Sequence, residues 1–260
     1  GGTMAATGGA KTRLYVEDDL GDGRTVGLSA SQAHYLKHVL RLSSGDRVVL
    51  FNGHDGEWLS SIDDIGRGWG SLEITRQLRA QSEEPDLWLF FAPIKRARLD
   101  FLVQKAVELG ASRIMPVMTE RTEVRRLNVE RHRTNVIEAT EQCERMTLPS
   151  FAEPQSLVAM LDSFPEDRTL AVCAERGDAP MLDDVLRAPE AAMQRWAILC
   201  GPEGGFTERE LDALRKLPFI SLASLGPRIL RAETAVLSAV TCWQAALGDW
   251  RQRPPERDLA

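Results

Sequence analysis

The chain has 260 residues, enough for one large domain or two small ones with a substantial hydrophobic core. Its apolar share of 43% and charged share of 27% are ordinary for a soluble globular protein, and no run approaches the roughly 18 apolar residues of a membrane helix. The net charge of −6, taken whole, argues against a nucleic-acid binder.

In chain order, Gly1-Gly2-Thr3 before Met4 and the Ala/Thr/Gly stretch after it read as a disordered tag or leader over residues 1–11. No basic stretch leads into an apolar one, so no secretory signal is visible and a cytoplasmic location is expected. Residues 12–80 read as short strands: 13–16, 47–51, 56–62 and 69–74, with Asn52-Gly53 and Gly66-Arg67-Gly68 as hairpin-type breaks. One helix interrupts them, with Ser31 as its expected cap and a stripe from Tyr35 through Val39. Many short strands with a single helix predict a small β-barrel.

The texture changes after Ala80-Gln81-Ser82-Glu83-Glu84-Pro85. Leu87–Ala92 is a continuous apolar run, as expected of a strand buried on both faces. A helix over 97–109 follows, with Gly110 as its stop, then a strand over 114–118, a helix near 129–145 and strands at 169–173, 196–200 and 219–222. A closing helix over 233–247 carries the stripe Val236, Val240, Trp243 and Leu247. Strands alternating with helices predict an α/β domain with a mainly parallel sheet over residues 84–250, followed by a tail at 251–260.

Charge is unevenly spread. Residues 95–145 hold 11 Lys/Arg against 8 Asp/Glu, and one basic face on an acidic protein suffices for phosphate contact. Lys95, Arg96 and Arg98, with Arg121, Arg125, Arg126 and Arg145, are the candidate RNA-binding residues; scattered solvated arginines are the plainer alternative. Cys143, Cys173, Cys200 and Cys242 form no CxxC, and the four histidines form no HExxH, so buried reduced thiols and no metal are expected.

Two stretches carry the chemistry. Gly201-Pro202-Glu203-Gly204-Gly205-Phe206 follows a buried strand directly, and Thr207 with Glu210 makes a capping box that starts a helix near Glu208. Ligands of open α/β sheets bind at such strand ends, and glycines let the backbone approach them closely. The loop is neither GxGxxG nor GxxxxGK[ST]; lacking a lysine and carrying Glu203, it suits an uncharged or cationic ligand better than a polyphosphate. Taken alone it is equally a structural turn. The second stretch, residues 224–235 (SLGPRILRAETA), also joins a strand to a helix and clusters Arg228, Arg231, Glu233 and Thr234. Its plainer reading is a local Arg231–Glu233 ion pair with Thr234 as a helix cap.

GPEGGF and LGPRILRAETA, in this order and about twenty residues apart, resemble the RsmE family of SPOUT-class enzymes. The resemblance takes in Lys95–Asp100, Gln104-Lys105, Glu108–Gly110, Pro116, Glu120-Arg121, Glu141–Arg145 and Pro149, and covers essentially residues 13–248; residues 173–180 match nothing in the pattern. It implies S-adenosylmethionine-dependent methylation of N3 of a uridine in 16S ribosomal RNA, free or in the small subunit. It implies a PUA-like N-terminal barrel, a C-terminal domain threaded into a trefoil knot, and a homodimer. The implied cofactor residues are Leu199, Gly201, Pro202, Glu203, Gly204, Gly205, Leu225, Gly226, Ile229, Leu230, Thr234 and Ala235, with Leu225, Ile229 and Leu230 as an adenine slot. Arg231 is expected to orient or stabilise the uracil, and Glu233 is the weaker candidate for base; Glu141 and Arg145 are further candidates for activation. The alternatives are another SPOUT enzyme acting on transfer RNA or a ribose hydroxyl, and a non-catalytic RNA-binding protein.

Overall fold

The computed structural model describes residues 9–174 and 178–255. Most of the expected leader and the end of the expected tail therefore lie outside the described residues. The chain divides into two compact units, the first running to Glu83 and including Thr140–Leu148 and the residues from Pro254, the second comprising Glu84–Ala139 and Pro149–Arg253. Among the described residues no helix is long and apolar enough to cross a membrane.

The first unit is a five-stranded sheet. It contains β1 (Arg13–Tyr15), β2 (Thr25–Gly27), β3 (Arg47–Phe51), β4 (Glu57–Gly66) and β5 (Trp69–Arg79), in the order β1-β3-β4-β5-β2. Only β1 and β3 run parallel; three register shifts between β4 and β5 bend that long hairpin. Leu14, Val26, Leu36, Val48, Leu50, Ile62 and Leu72 fill its core. The helix α1 (Ala30–His34) is capped by Ser29, not by Ser31: Ser29 and Gln32 form a complete capping box, two residues earlier than expected. It runs into a π-turn over Tyr35–Val39, in which Leu36 is buried while Tyr35 and Val39 are exposed, so the expected stripe faces the wrong way. Ala10 is buried and the Lys11 amide donates to the Arg47 carbonyl, which ties down residues expected to be disordered.

Thr140–Leu148 joins this unit through arginine. The Arg13 guanidinium donates to Glu57 Oε2 (2.8 Å) and to the carbonyls of Thr140 (3.0 Å) and Arg145 (2.7 Å), and it stacks over the Phe51 ring. Arg79 holds both Glu57 oxygens and donates to the Glu144 carbonyl at 2.7 Å.

The second unit is a parallel sheet flanked by helices. Its first half holds β6 (Leu87–Phe91), α2 (Arg96–Glu108), β7 (Arg113–Met118), α3 (Val129–Cys143) as far as Ala139, and the short β8 (Ser150–Phe151) and β9 (Gln155–Ser156). Its second half holds α4 (Leu157–Asp162), β10 (Arg168–Cys173), α5 (Leu182–Arg187), β11 (Arg195–Cys200), α6 (Glu208–Arg215), β12 (Ile220–Ala223) and α7 (Ala232–Leu247). The strand order is β12-β10-β11-β6-β7-β8, with β9 on β7, and every pairing is parallel. Sequence order turns back at β6 and β11, where such sheets open a crevice at their carboxyl ends. Gly110, at φ +90°, ends α2 because a left-handed residue there costs glycine nothing. Val236, Val240 and Trp243 of α7 are buried within this unit, and Gln244 ties the helix to the Leu109 carbonyl at 2.7 Å. The stripe of the closing helix thus covers its own core and supplies no argument for a dimer.

Candidate functional site

The glycine loop and the 224–235 stretch meet at the carboxyl ends of β10 and β11. Together they wall a pocket lined by Cys173, Cys200, Gly201, Pro202, Glu203, Gly205, Phe206, Leu230, Ala232 and Ala235. The local reasons were legible: β11 delivers the chain to Gly201, and Thr207 with Glu210 forms the expected capping box that starts α6 at Glu208. Gly205 lies at φ +78° and Gly226 at φ +106°, and a Cβ added at either meets nothing within 4 Å. These glycines are required by backbone conformation rather than by crowding.

Of the expected cofactor residues, Gly201, Pro202, Glu203, Gly205, Leu230 and Ala235 line this pocket. Leu199, Gly204, Leu225, Gly226, Ile229 and Thr234 do not. Leu199 sits inside the sheet core beside Phe90 and Leu170, and Ile229 is 87% exposed. The pocket adds Cys173, Cys200, Phe206 and Ala232, which the motifs did not mark. The two cysteines are register partners on adjacent strands. A hydrogen bond with Cys173 and burial push the Cys200 thiol well up, so Cys200 stays protonated.

Charge at the pocket's mouth is organised by Arg98, from the first turn of α2. Its Nε donates to both Glu233 oxygens (3.2 and 3.1 Å), and its Nη2 donates to Glu233 Oε2 (2.7 Å) and to Glu203. The hydrogen bonds from Arg98 hold both carboxyls below their usual range, and the two carboxylates raise Arg98 in return. Arg231 caps α7, mostly exposed, with Nη1 3.6 Å from Glu203 Oε1. The local Arg231–Glu233 pair is not formed: Glu233 turns to Arg98 and Arg231 to Glu203. Thr234 lies inside α7 and does not cap it.

Arg121 buttresses the loop from below. Its Nη1 donates to the Gly204 carbonyl at 2.8 Å, and the Glu120 amide donates to Glu210 Oε2 at 3.0 Å. Arg125 donates to the Thr119 carbonyl at 3.1 Å. Of the seven candidate RNA-binding residues, Lys95, Arg96 and Arg126 are exposed at the surface of the second unit, while Arg98, Arg121 and Arg125 hold the site's own loops. Arg145 is buried in the first unit, donating to the Thr147 carbonyl, and Glu141 accepts from the Tyr15 amide; neither is among the residues that line this pocket.

The family model described as "RNA methyltransferase domain" matches residues 82–244, and "RNA methyltransferase PUA domain" matches residues 28–68. The chain is 34% identical over 229 residues to "Ribosomal RNA small subunit methyltransferase E" of Rickettsia conorii, covering 88% of this chain and 93% of the relative. It belongs to the small-subunit ribosomal RNA methyltransferase E family. A Synechocystis member of the family is also 34% identical, covering 90% of this chain and 78% of its own. Among solved structures, the Neisseria gonorrhoeae member bound to S-adenosyl methionine is 30% identical with a TM-score of 0.82, covering 92% of this chain and 99% of that one. A Legionella pneumophila methyltransferase in complex with the same cofactor is 30% identical at a TM-score of 0.80, covering 92% and 98%. The family assignment carries the SPOUT α/β architecture and the PUA-type first unit.

Proposed function

We propose that this chain transfers the methyl group of S-adenosylmethionine to N3 of a uridine in 16S ribosomal RNA, working in the cytoplasm as a homodimer. The observation that carries the reading is the joining of two glycine-containing loops into one pocket at the strand ends, with a paired Arg98–carboxylate set at its mouth. Its relatives' names and their bound cofactor point the same way. The trefoil knot implied by the family belongs to this proposal, as the threading that would hold the two loops together.

Gly201, Glu203, Gly205 and the small Ala232 and Ala235 line a space of only about 30 Å³, so the two loops must part to admit the cofactor, and Glu203 and Glu233 at the mouth favour a sulfonium over a phosphate. When bound, the cofactor supplies an electrophilic methyl group. The chain's own residues then do the rest. The glycine loop, braced by Arg121, positions the donor, and orientation is a large share of the rate. Arg231, mostly exposed beside the pocket, stabilises negative charge on the uracil carbonyls as the N3 proton passes to solvent water. Glu233 is a poor base, because Arg98 keeps it ionised with a lowered affinity for protons. We assign it instead to holding Arg98.

Nucleoside mass spectrometry of small-subunit RNA tests the reading. Deleting the protein should remove N3-methyluridine, wild type should restore it, and Arg231→Ala should restore it at a rate lower by about 100-fold, as for a lost charge-stabilising donor. Unchanged N3-methyluridine on deletion would overturn the reaction; wild-type restoration by Arg231→Ala would overturn only that residue's role. Gly201→Ala offers a separate check on the pocket. Its Cβ would stand 2.8 Å from the ring of Phe206, another lining residue of the pocket, which must then shift. Calorimetry should show cofactor affinity weakened by about tenfold, the scale of overpacking a fitted site.

A further inference from the structure

The second unit carries another cavity, of about 220 Å³, between the start of α2, the segment ending at Asn128 and the first turn of α3. Ile94, Leu99, Val124 and Leu127 make its apolar wall. Its polar lining combines Arg96, Arg126 and Asn128 with two residues of α3. One of these, Arg131, is neutralised by Asp100 at 2.9 Å. Arg96 and Arg126 have no acidic partner among the described residues.

His132 is the decisive group. It is 1% exposed, stacks on Phe151 with ring centroids 5.1 Å apart, and lines the cavity. Its Nδ1 is buried without a hydrogen-bond partner, and the nearest carboxylate oxygen, Asp100 Oδ1, is 3.9 Å away. Burial first, and the charge of Arg131 second, push its pKa down, so the ring is neutral at pH 7, with one nitrogen able to donate and the other to accept. Orphaned buried polar atoms are rare and costly, and one on a side chain that lines a cavity points to a ligand that completes the bonding once the ring turns toward it. An apolar wall large enough for a ring, two unpaired guanidiniums at the rim and a neutral imidazole with an amide inside describe a planar heterocycle carrying one anionic group.

We propose that this cavity receives one nucleotide of the RNA substrate, a neighbour of the one that is methylated. Its base lies on the Leu99–Leu127 wall with an edge toward His132 and Asn128, and its phosphate lies between Arg96 and Arg126. The placement is coherent along α2: Arg98 serves the glycine-loop pocket, while Arg96 and Leu99 serve this one. The inference rests on the RNA reading above and adds a specific subsite to it.

Imidazole-selective NMR on the full chain, titrated with uridine 5′-monophosphate and separately with inorganic phosphate, tests it, since the chain has only four histidines. The nucleotide should shift the His132 nitrogens saturably, and phosphate alone should not. Arg126→Ala, at an exposed position, should weaken nucleotide binding about tenfold, as expected for a lost charge-assisted contact. His132→Phe keeps the stack on Phe151 and should raise the KM for RNA several-fold, leaving kcat and cofactor affinity unchanged. A nucleotide that leaves His132 unmoved, or phosphate acting as well as the nucleotide, overturns the proposal. So does an unchanged RNA KM in both variants while methylation proceeds. If His132 responds to the nucleotide but no RNA is methylated, the subsite stands and the proposed function falls.

Discussion

Arg98→Ala is expected to slow methyl transfer by at least about 100-fold while leaving the protein folded. One guanidinium joins three segments: α2, which carries it, the glycine loop through Glu203, and the start of α7 through Glu233. Without it two carboxylates face each other at the pocket's mouth, and Glu203 turns to Arg231 for its remaining cation. The existing contact of Arg231 with Glu203 tightens, drawing Arg231 from the substrate, and the glycine loop loses its tie to α2, although Arg121 still braces it. Stability should change little, because the Arg98 side chain is about one-third exposed and such pairs contribute at most about 1 kcal/mol. Arg98→Lys keeps the charge but not the fork that serves two acceptors, so an intermediate rate is expected. Single-turnover methylation of small-subunit RNA with each variant, alongside a thermal melt, separates these outcomes. A wild-type rate in Arg98→Ala would remove the network from the mechanism. Both carboxyls are held below their usual range, so they stay ionised as pH falls past about 4.3, and the network should persist there.

What the sequence made legible was local. The end of β11, the glycine loop and the Thr207–Glu210 capping box lie within a dozen residues, and their chemistry is written in that order along the chain. The buried strands β6, β10 and β11 announce themselves as apolar runs because both faces are covered. Strands of two or three residues, such as β2, β8 and β9, are too short to show any period. Side-chain partners far apart in sequence were equally out of reach. Arg98 pairs with groups 105 and 135 residues away, and nothing about an arginine near a helix start distinguishes a structural clamp from a phosphate ligand. Arg145 and Glu141 belonged to a matched motif, and what local spacing could not show is that Glu141 accepts from the Tyr15 amide and the Arg145 carbonyl from Arg13. Ile229 shows the limit of hydrophobicity itself: composition says which residue would gain from cover, and only the backbone decides which way it points.

The strongest stability effect is expected at Glu57. Its side chain is 7% exposed and lies between Arg13, at 1%, and Arg79. Burial works to raise its pKa, but the hydrogen bond from Arg79 and the charges of Arg13 and Arg79 outweigh it and hold the carboxyl below its ordinary value. Burial works on Arg13 as well, lowering it against the pull of Glu57, though a guanidinium remains charged throughout. Glu57→Ala therefore leaves a buried cation uncompensated, a change that costs about 3–5 kcal/mol. The same guanidinium holds the carbonyls of Thr140 and Arg145, so the loss spreads to the returning segment. Hydrogen exchange over residues 140–148 should accelerate before the rest of the sheet opens. Substituting Arg13 and Glu57 together by apolar residues should not rescue stability, because those carbonyls would still lack a donor. A carboxyl with a depressed folded pKa contributes its full stability above the unfolded value of about 4.3 and loses it as pH falls through the folded one. Wild type should thus lose stability below pH ~4 more steeply than Glu57→Gln, which has no charge left to titrate. Urea melts at pH 7 and pH 3 give both comparisons, and a Glu57→Ala cost under about 1 kcal/mol would mean that the buried pair is not what holds the returning segment.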